Sequence, residues 1–169
     1  MNAQTKSRIE YIRNIVFGVE DSLVSTIGLV SGVAAAGAAN KSVVLTGMVL
    51  IFVEAFSMAI GSLLSENSAE EYESKSEVPL TASVGYAVVM FVSYLVSGFL
   101  IIVPYMFLDR GPAVWLSIAI SIIGLFALGA WSGKMTKLPW HSRALAMSFL
   151  GGLTIVLGVV VGQLVERLS

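Results

Sequence analysis

Residues 82–108 read ASVGYAVVMFVSYLVSGFLIIVPYMFL, and no charged side chain occurs between Val78 and Leu108. About 20 consecutive apolar residues carry a helix across the hydrocarbon core of a bilayer. This run is long enough to cross and too uniformly apolar for a surface helix of a small soluble domain. Working outward, four further stretches have the same character. Two precede it, at about 15–39 and 43–65, and two follow it, at about 113–133 and 144–165, while the run itself fills 82–108. The breaks are Asn40-Lys41, a polar stretch from Glu66 to Pro79, Asp109-Arg110-Gly111-Pro112, and Lys134 to Ser142 with Pro139. The expected fold class is therefore all-α, a polytopic membrane protein with five transmembrane helices. Residues 1–14 form a cytosolic N-terminal segment and 15–169 the membrane domain.

Composition agrees. The 169 residues are 56% hydrophobic and 12% charged, with a mean hydropathy of +0.87. Soluble domains run near 45–50% apolar and about 25% charged. Cysteine is absent, which excludes disulfides, thiolate metal sites and thiol nucleophiles. There is no Gly-rich phosphate loop, nucleophile elbow, cofactor fingerprint or basic patch. The chain is thus expected to be no enzyme, to hold no permanently bound cofactor and to take no nucleic acid as partner. Lys6, Arg8 and Arg13 precede a full-length span without a small-residue cleavage site, so the first helix should insert and stay. The lack of a targeting extension points to a prokaryotic cell membrane.

Lys and Arg accumulate on the cytosolic side of membrane proteins. With the N-terminus inside, Lys6, Arg8, Arg13, Lys75, Lys134, Lys137 and Arg143 fall inside, and Lys41, Arg110 and Arg167 outside. That asymmetry places the N-terminus in the cytosol and the C-terminus outside. Tyr11 and Trp140 would sit at the inner interface, with His141 as a further anchor, and Tyr105 and Trp115 at the outer one.

The informative residues are ionisable ones within the spans. Glu20 and Asp21 lie in the first and Glu54 in the middle of the second. Such a residue costs on the order of 2.5–3.5 kcal/mol at mid-membrane on insertion scales. It needs water, a partner, a proton or a cation. Asp21, Ser25, Gly28, Gly32 and Ala35 recur on one helical face, and so do Glu54, Met58, Gly61 and Ser65. In an antiparallel pair, Asp21 and Met58 fall at similar depth, roughly 10 Å from the inner end. Two carboxylates and a thioether can therefore converge, with Glu20 about 100° round the helix from Asp21. Carboxylate oxygens suit divalent first-row metals, and the thioether biases the set toward transition metals. The bland reading is protonated, hydrogen-bonded packing residues.

Beyond the second span, Glu66, Glu70, Glu73 and Glu77 form one acidic stripe if the helix continues. Acids at a helix C-terminus oppose the macrodipole and like charges at i, i+4 repel. A bound cation would relieve both costs, as would Lys75 or plain solvation. Gly28/Gly32, Gly129/Gly133 and Gly158/Gly162 permit close helix approach or dimerisation. Ser57, Ser93, Ser97 and Ser121 read as interhelical hydrogen bonders.

Two stretches carry a resemblance. Ile12-Arg13-Asn14-Ile15-Val16-Phe17-Gly18-Val19-Glu20-Asp21-Ser22-Leu23-Val24-Ser25 looks like the first-helix motif of the vacuolar iron transporter family, in which an Arg, a Phe-Gly and an Asp-Gly-Leu recur. Glu54-Ala55-Phe56-Ser57-Met58-Ala59-Ile60-Gly61 with Leu64-Ser65 is similar to its second-helix Ser-Met-Ala-x-Gly-x-Tyr-Leu-Ser pattern. Ser22 stands where Gly is usual, and Ser62-Leu63 where many members have Glu-Tyr. The connection between spans two and three is too short for the cytosolic metal-binding domain of many members, so the chain reads as a short form. The resemblance implies a homodimer that exports Fe²⁺, and often Mn²⁺, from the cytosol in exchange for protons, along a path at the subunit interface. Asp21 and Met58 would line it, joined by Glu54; Glu20, Glu66, Glu70 and Glu73 complete the candidate metal set. The expected partners are divalent metal ions, protons, the lipid bilayer and a second copy. The alternatives are a non-transporting membrane scaffold and a divalent-cation channel.

Overall fold

The structure is a computed structural model that describes residues 3–136 and 139–168. Lys137, counted above among the inner charges, lies outside the described residues, as do Met1, Asn2 and Ser169 at the termini. Five helices follow one another: α1 (Ala3–Ala35), α2 (Asn40–Ser74), α3 (Val84–Phe107), α4 (Arg110–Met135) and α5 (Trp140–Leu168), with a single 3-10 turn at Leu80–Ala82. All five are long and apolar enough to cross a membrane, and no strand occurs among the described residues. With no water to pair backbone groups in hydrocarbon, this all-helical solution is what the five apolar runs demand.

The helices overrun the apolar stretches. α1 already begins at Ala3, so the polar N-terminal segment extends the first helix, and it ends at Ala35, short of the expected 39. Gly37 follows with a φ of +78°, the left-handed turn that closes many helices. α2 does continue beyond its apolar stretch, to Ser74, where Lys75 takes the left-handed conformation and its N–H bonds the Glu71 carbonyl. Glu77 lies past this stop and leaves the acidic stripe. α3 runs through Pro104 for three more residues to Phe107.

α1 is the hub and packs against all four other helices, most extensively against α5 and α3. α2 lies mainly along α3, and α4 along α5. The glycine pairs explain the closest of these contacts. α1 and α5 run parallel, and a Cβ on Gly32 would stand 2.6 Å from the Gly158 carbonyl oxygen. Gly158 and Gly162 meet the carbonyls of Gly28 and Gly32 in turn. On α4, Gly129 sits against Ala144 and Gly133 against Trp140, where the chain turns into α5. All three small-residue pairs are thus used within one copy of the chain.

Hydroxyl groups add the remaining ties, though not always the expected ones. Ser22 Oγ donates to the Tyr94 carbonyl and Ser117 Oγ to the Ile101 carbonyl, each at 2.7 Å. Ser121 Oγ reaches the Leu23 carbonyl at 3.4 Å. Ser97 instead bonds carbonyls of its own helix, and Ser57 is exposed. Tyr105 is 2% exposed and belongs to the core, so it is no outer interface anchor: its ring packs inward. At the end of the bundle away from the start of α1, the two turns are laced together. Asn40 Nδ2 donates to the Leu108 carbonyl at 2.7 Å, and Arg110 Nη1 to the Ala38 carbonyl at 3.1 Å.

A β-branched side chain at Gly158 has only backbone to displace. Gly158→Val should cost at least ~1–3 kcal/mol and lower the midpoint of thermal unfolding in detergent by roughly 5 °C or more. Gly152→Ala, where a Cβ meets nothing within 4 Å, should leave the midpoint unchanged.

Candidate functional site

The start of α1 lies beside the end of α2, and here both helices have left their apolar stretches. This end is called inner, after the orientation read from the charges. Lys6 pairs with Glu73 and Arg13 with Glu66. Arg13 also reaches Glu10 at 3.0 Å, one turn back along α1. The stripe on α2 therefore finds its counter-charges on α1, and not in Lys75. Beside this ion pair sits Asn14, 2% exposed. Its Oδ1 accepts from Ser62 Oγ at 2.6 Å, and its Nδ2 donates to the Glu10 carbonyl at 2.9 Å and to Glu66 Oε1 at 3.4 Å. Glu66 is itself 7% exposed. A carboxylate so buried holds its charge only with partners, and Arg13 and Asn14 are those partners.

A cleft of about 840 Å³ leads from this cluster into the bundle. Arg13, Asn14, Ser62 and Glu66 line its inner part, and Glu20, Met58 and Met90 lie further along; Ser132 and Arg143 face it from α4 and α5. Arg143 Nη1 donates to Ser132 Oγ at 3.4 Å. Glu70 and Glu73 open instead into a second, smaller cleft of about 500 Å³, shared with Lys6, Glu10 and Tyr86 and bordered by Arg13 and Glu66.

Asp21 and Glu54 form a third, deeper group. Glu54 lies close enough to Asp21 for its charge to act there, and neither is part of the large cleft's wall. Tyr94 of α3 stands in the field of both. Its side chain is fully buried, and its hydroxyl shares a 2.7 Å hydrogen bond with that of Ser25, one turn beyond Asp21.

The structure thus brings the sequence candidates together in sets. Glu20, Met58 and Glu66 share the cleft, Asp21 and Glu54 pair beyond it, and Glu70 and Glu73 remain exposed on the inner extension. Asp21 and Glu20 still interact as neighbours. Among the described residues, no three of His, Asp and Glu stand close enough together to hold a metal ion. One face of α1 also divides its labour: Gly28 and Gly32 lie in the groove against α5, leaving Asp21 and Ser25 for polar contacts.

The sequence reading gave no site role to Tyr94, Asn14 or Ser62, and took Arg13 as an orientation charge and as the Arg of the first-helix motif. A signal existed for the first. Tyr94 is a phenol in the middle of a charge-free span, and a buried Tyr hydroxyl seeks a partner.

Comparison with known proteins decides the family. The sequence model of the VIT family matches residues 12–83 and 73–163, which together reach from the inner part of α1 into α5. The chain belongs to the VIT family. Among curated VIT relatives, the Vacuolar iron transporter homolog 2 of Oryza sativa subsp. japonica is 27% identical, over 76% of this chain and 77% of its own length. The Vacuolar iron transporter homolog 5 of the same plant is 37% identical over 67 residues, 40% of this chain and 32% of its own. The two segments matched by the VIT model meet at 73–83, the short connection between α2 and α3.

The Asn14 cluster makes a stability prediction. Removing one member of a buried hydrogen-bonded group leaves its partners unsatisfied, at about 1–3 kcal/mol. Asn14→Ala should destabilise the folded protein by that amount in chemical unfolding from detergent micelles. Ser62→Ala should cost less, and the double variant less than the sum, because the two share one bond.

Proposed function

We propose that this protein moves divalent transition-metal ions, Fe²⁺ or Mn²⁺, out of the cytosol in exchange for protons. The observation that carries the reading is the order of the donors along the α1–α2 seam. Glu66 lies at the inner mouth, Glu20 and Met58 further along the cleft, and Asp21 with Glu54 deepest. An ion entering from the inner side would meet oxygen, then oxygen and sulfur, then two carboxylates. That donor set suits first-row transition metals better than Mg²⁺ or Ca²⁺. Intramembrane acids mark ion and proton paths more often than packing. The two rice relatives are named as vacuolar iron transporter homologs, which supports a metal ion as the cargo.

Exchange follows from the chemistry of carboxylates. A site that binds metal must shed its protons, and a proton arriving there displaces the metal. Asp21 and Glu54 repel each other when both are charged, so a cation or a proton between them relieves the strain. Single-site acids therefore serve both ions in alternation.

A homodimer fits this reading. Among the described residues of a single copy, no three of His, Asp and Glu come together, while Ser57, Gly61 and Ser65 on α2 are exposed. Facing a second copy would cover these small and polar positions, and would bring two sets of donors together. The chain has no cysteine, and a side chain at Gly61 has open space. Gly61→Cys protein in liposomes should therefore form covalent dimers with a short bifunctional thiol reagent. Gly152→Cys on α5 should remain monomeric on the same gel.

Transport is tested by Fe²⁺ and Mn²⁺ uptake into proteoliposomes under an imposed pH gradient. Wild-type uptake should require the gradient, fall on the order of tenfold or more in Asp21→Ala, and fall several-fold in Met58→Ala. Uptake indifferent to the gradient would point to a channel. A folded wild type that moves neither ion would point to a scaffold.

A further inference from the structure

The contact between Arg13 and Glu66 sits at the inner mouth of the large cleft, and both residues line it. The two partners differ sharply in environment. Glu66 is 7% exposed, whereas the Arg13 side chain is 57% exposed. The carboxylate is thus a fixed part of the wall, and the guanidinium is a long arm reaching it from the water side. Glu66 is further shaped by Asn14, whose amide nitrogen faces the same oxygen, Oε1, that Arg13 holds. Glu10 offers Arg13 a second carboxylate one helical turn away, at 3.0 Å. The guanidinium thus bridges the two carboxylates at once, Nη2 on Glu66 of α2 and Nη1 on Glu10 of its own helix.

We propose that Arg13 is a tethered plug for the inner mouth. Its guanidinium occupies the position on Glu66 that a mobile cation would take, and the cleft opens to the inner side when Nη2 leaves Glu66 and the arm stays on Glu10 alone. This rests on the reading of the cleft as a cation path, and it adds the element that controls entry. The contact to Glu66 uses one nitrogen and one oxygen rather than the stronger bidentate fork, and its guanidinium side is more than half open to water, where ion pairs are worth little. A contact of that kind closes by default and yields to a competing charge. The Lys6–Glu73 pair, further out on the same two helices, keeps the extensions of α1 and α2 together while the plug moves. Asn14 and Ser62, buried and mutually bonded, hold the frame against which it seats.

The test is a labelling experiment that does not depend on transport. Since the chain has no cysteine, Met58→Cys places a single thiol in the cleft beyond the plug. A membrane-impermeant, positively charged methanethiosulfonate reagent is then applied from the inner side of the reconstituted full chain. Labelling should be slow in the Arg13 background and on the order of tenfold faster with Arg13→Gln, the loss of one charged hydrogen bond. Arg13→Lys should restore most of the protection, which separates a lost plug from a disordered helix end. Equal labelling rates with and without Arg13 would overturn the proposal, as would Arg13→Lys behaving like Arg13→Gln. Failure of metal uptake in the wild type would sink the transport reading alone and leave this labelling contrast to stand or fall by itself.

Discussion

The approach of α1 to α5 through bare backbone is the constraint on which the rest of the bundle depends. In lipid, helices gain little from burying apolar side chains against each other, because hydrocarbon surrounds them either way. Association has to come from close packing and from polar bonds. Gly28 and Gly32 against Gly158 and Gly162 supply the first, and they place α1 firmly on one neighbour. That leaves the other sides of α1 free to carry hydroxyl, amide and carboxylate groups toward α2 and α3. A bulkier stripe on α5 would push α1 off and pull Ser22 and Ser25 away from Tyr94.

From that placement, the polar residues of α1 sort by depth. Arg13 and Asn14 meet α2 at the inner mouth, Glu20 faces the cleft, and Asp21 turns toward Glu54 beneath Tyr94. Ser25 closes the sequence by bonding the Tyr94 hydroxyl. Every charged or amide group in the series has either a named partner or access to the cleft, which is what hydrocarbon requires of them. The same accounting explains why the glycine face and the acidic face of α1 can share one helix. They begin on one stripe and separate by depth, small residues outward and polar residues inward.

The five spans and their order were legible because each apolar run is long enough to cross a bilayer core, and residues 82–108 carry no charge that would hold them in water. Membrane-depth acids were equally visible, since Asp21 and Glu54 stand out against Val, Ile and Leu. What stayed hidden was pairing. Periodicity told that Asp21 and Met58 lie at one depth, but helix rotation decides which side chain enters the cleft, and Glu20 enters where Asp21 does not. Tertiary partners were hidden for the same reason. Lys6 and Arg13 were read as topology charges because their reach to Glu73 and Glu66 depends on α1 and α2 both continuing as helices beyond the bilayer. Tyr105 was assigned to the interface by composition, whereas its contacts within the core decide its place.

The lacing at the outer end has a mechanical meaning. Asn40 and Arg110 each spend a side chain on the other turn's backbone carbonyl, so the tips of α1, α2, α3 and α4 are fastened as one knuckle. At the opposite end α1 and α2 are joined by the long side chains of Lys6 and Arg13, set around the buried Asn14–Ser62 bond. One end is thus tied through backbone carbonyls and the other through side chains alone. Any rocking of α1 against α2 has its fulcrum at the outer turns, and a small rotation there is multiplied over the length of helices Ala3–Ala35 and Asn40–Ser74 into its largest displacement at Arg13 and Glu66.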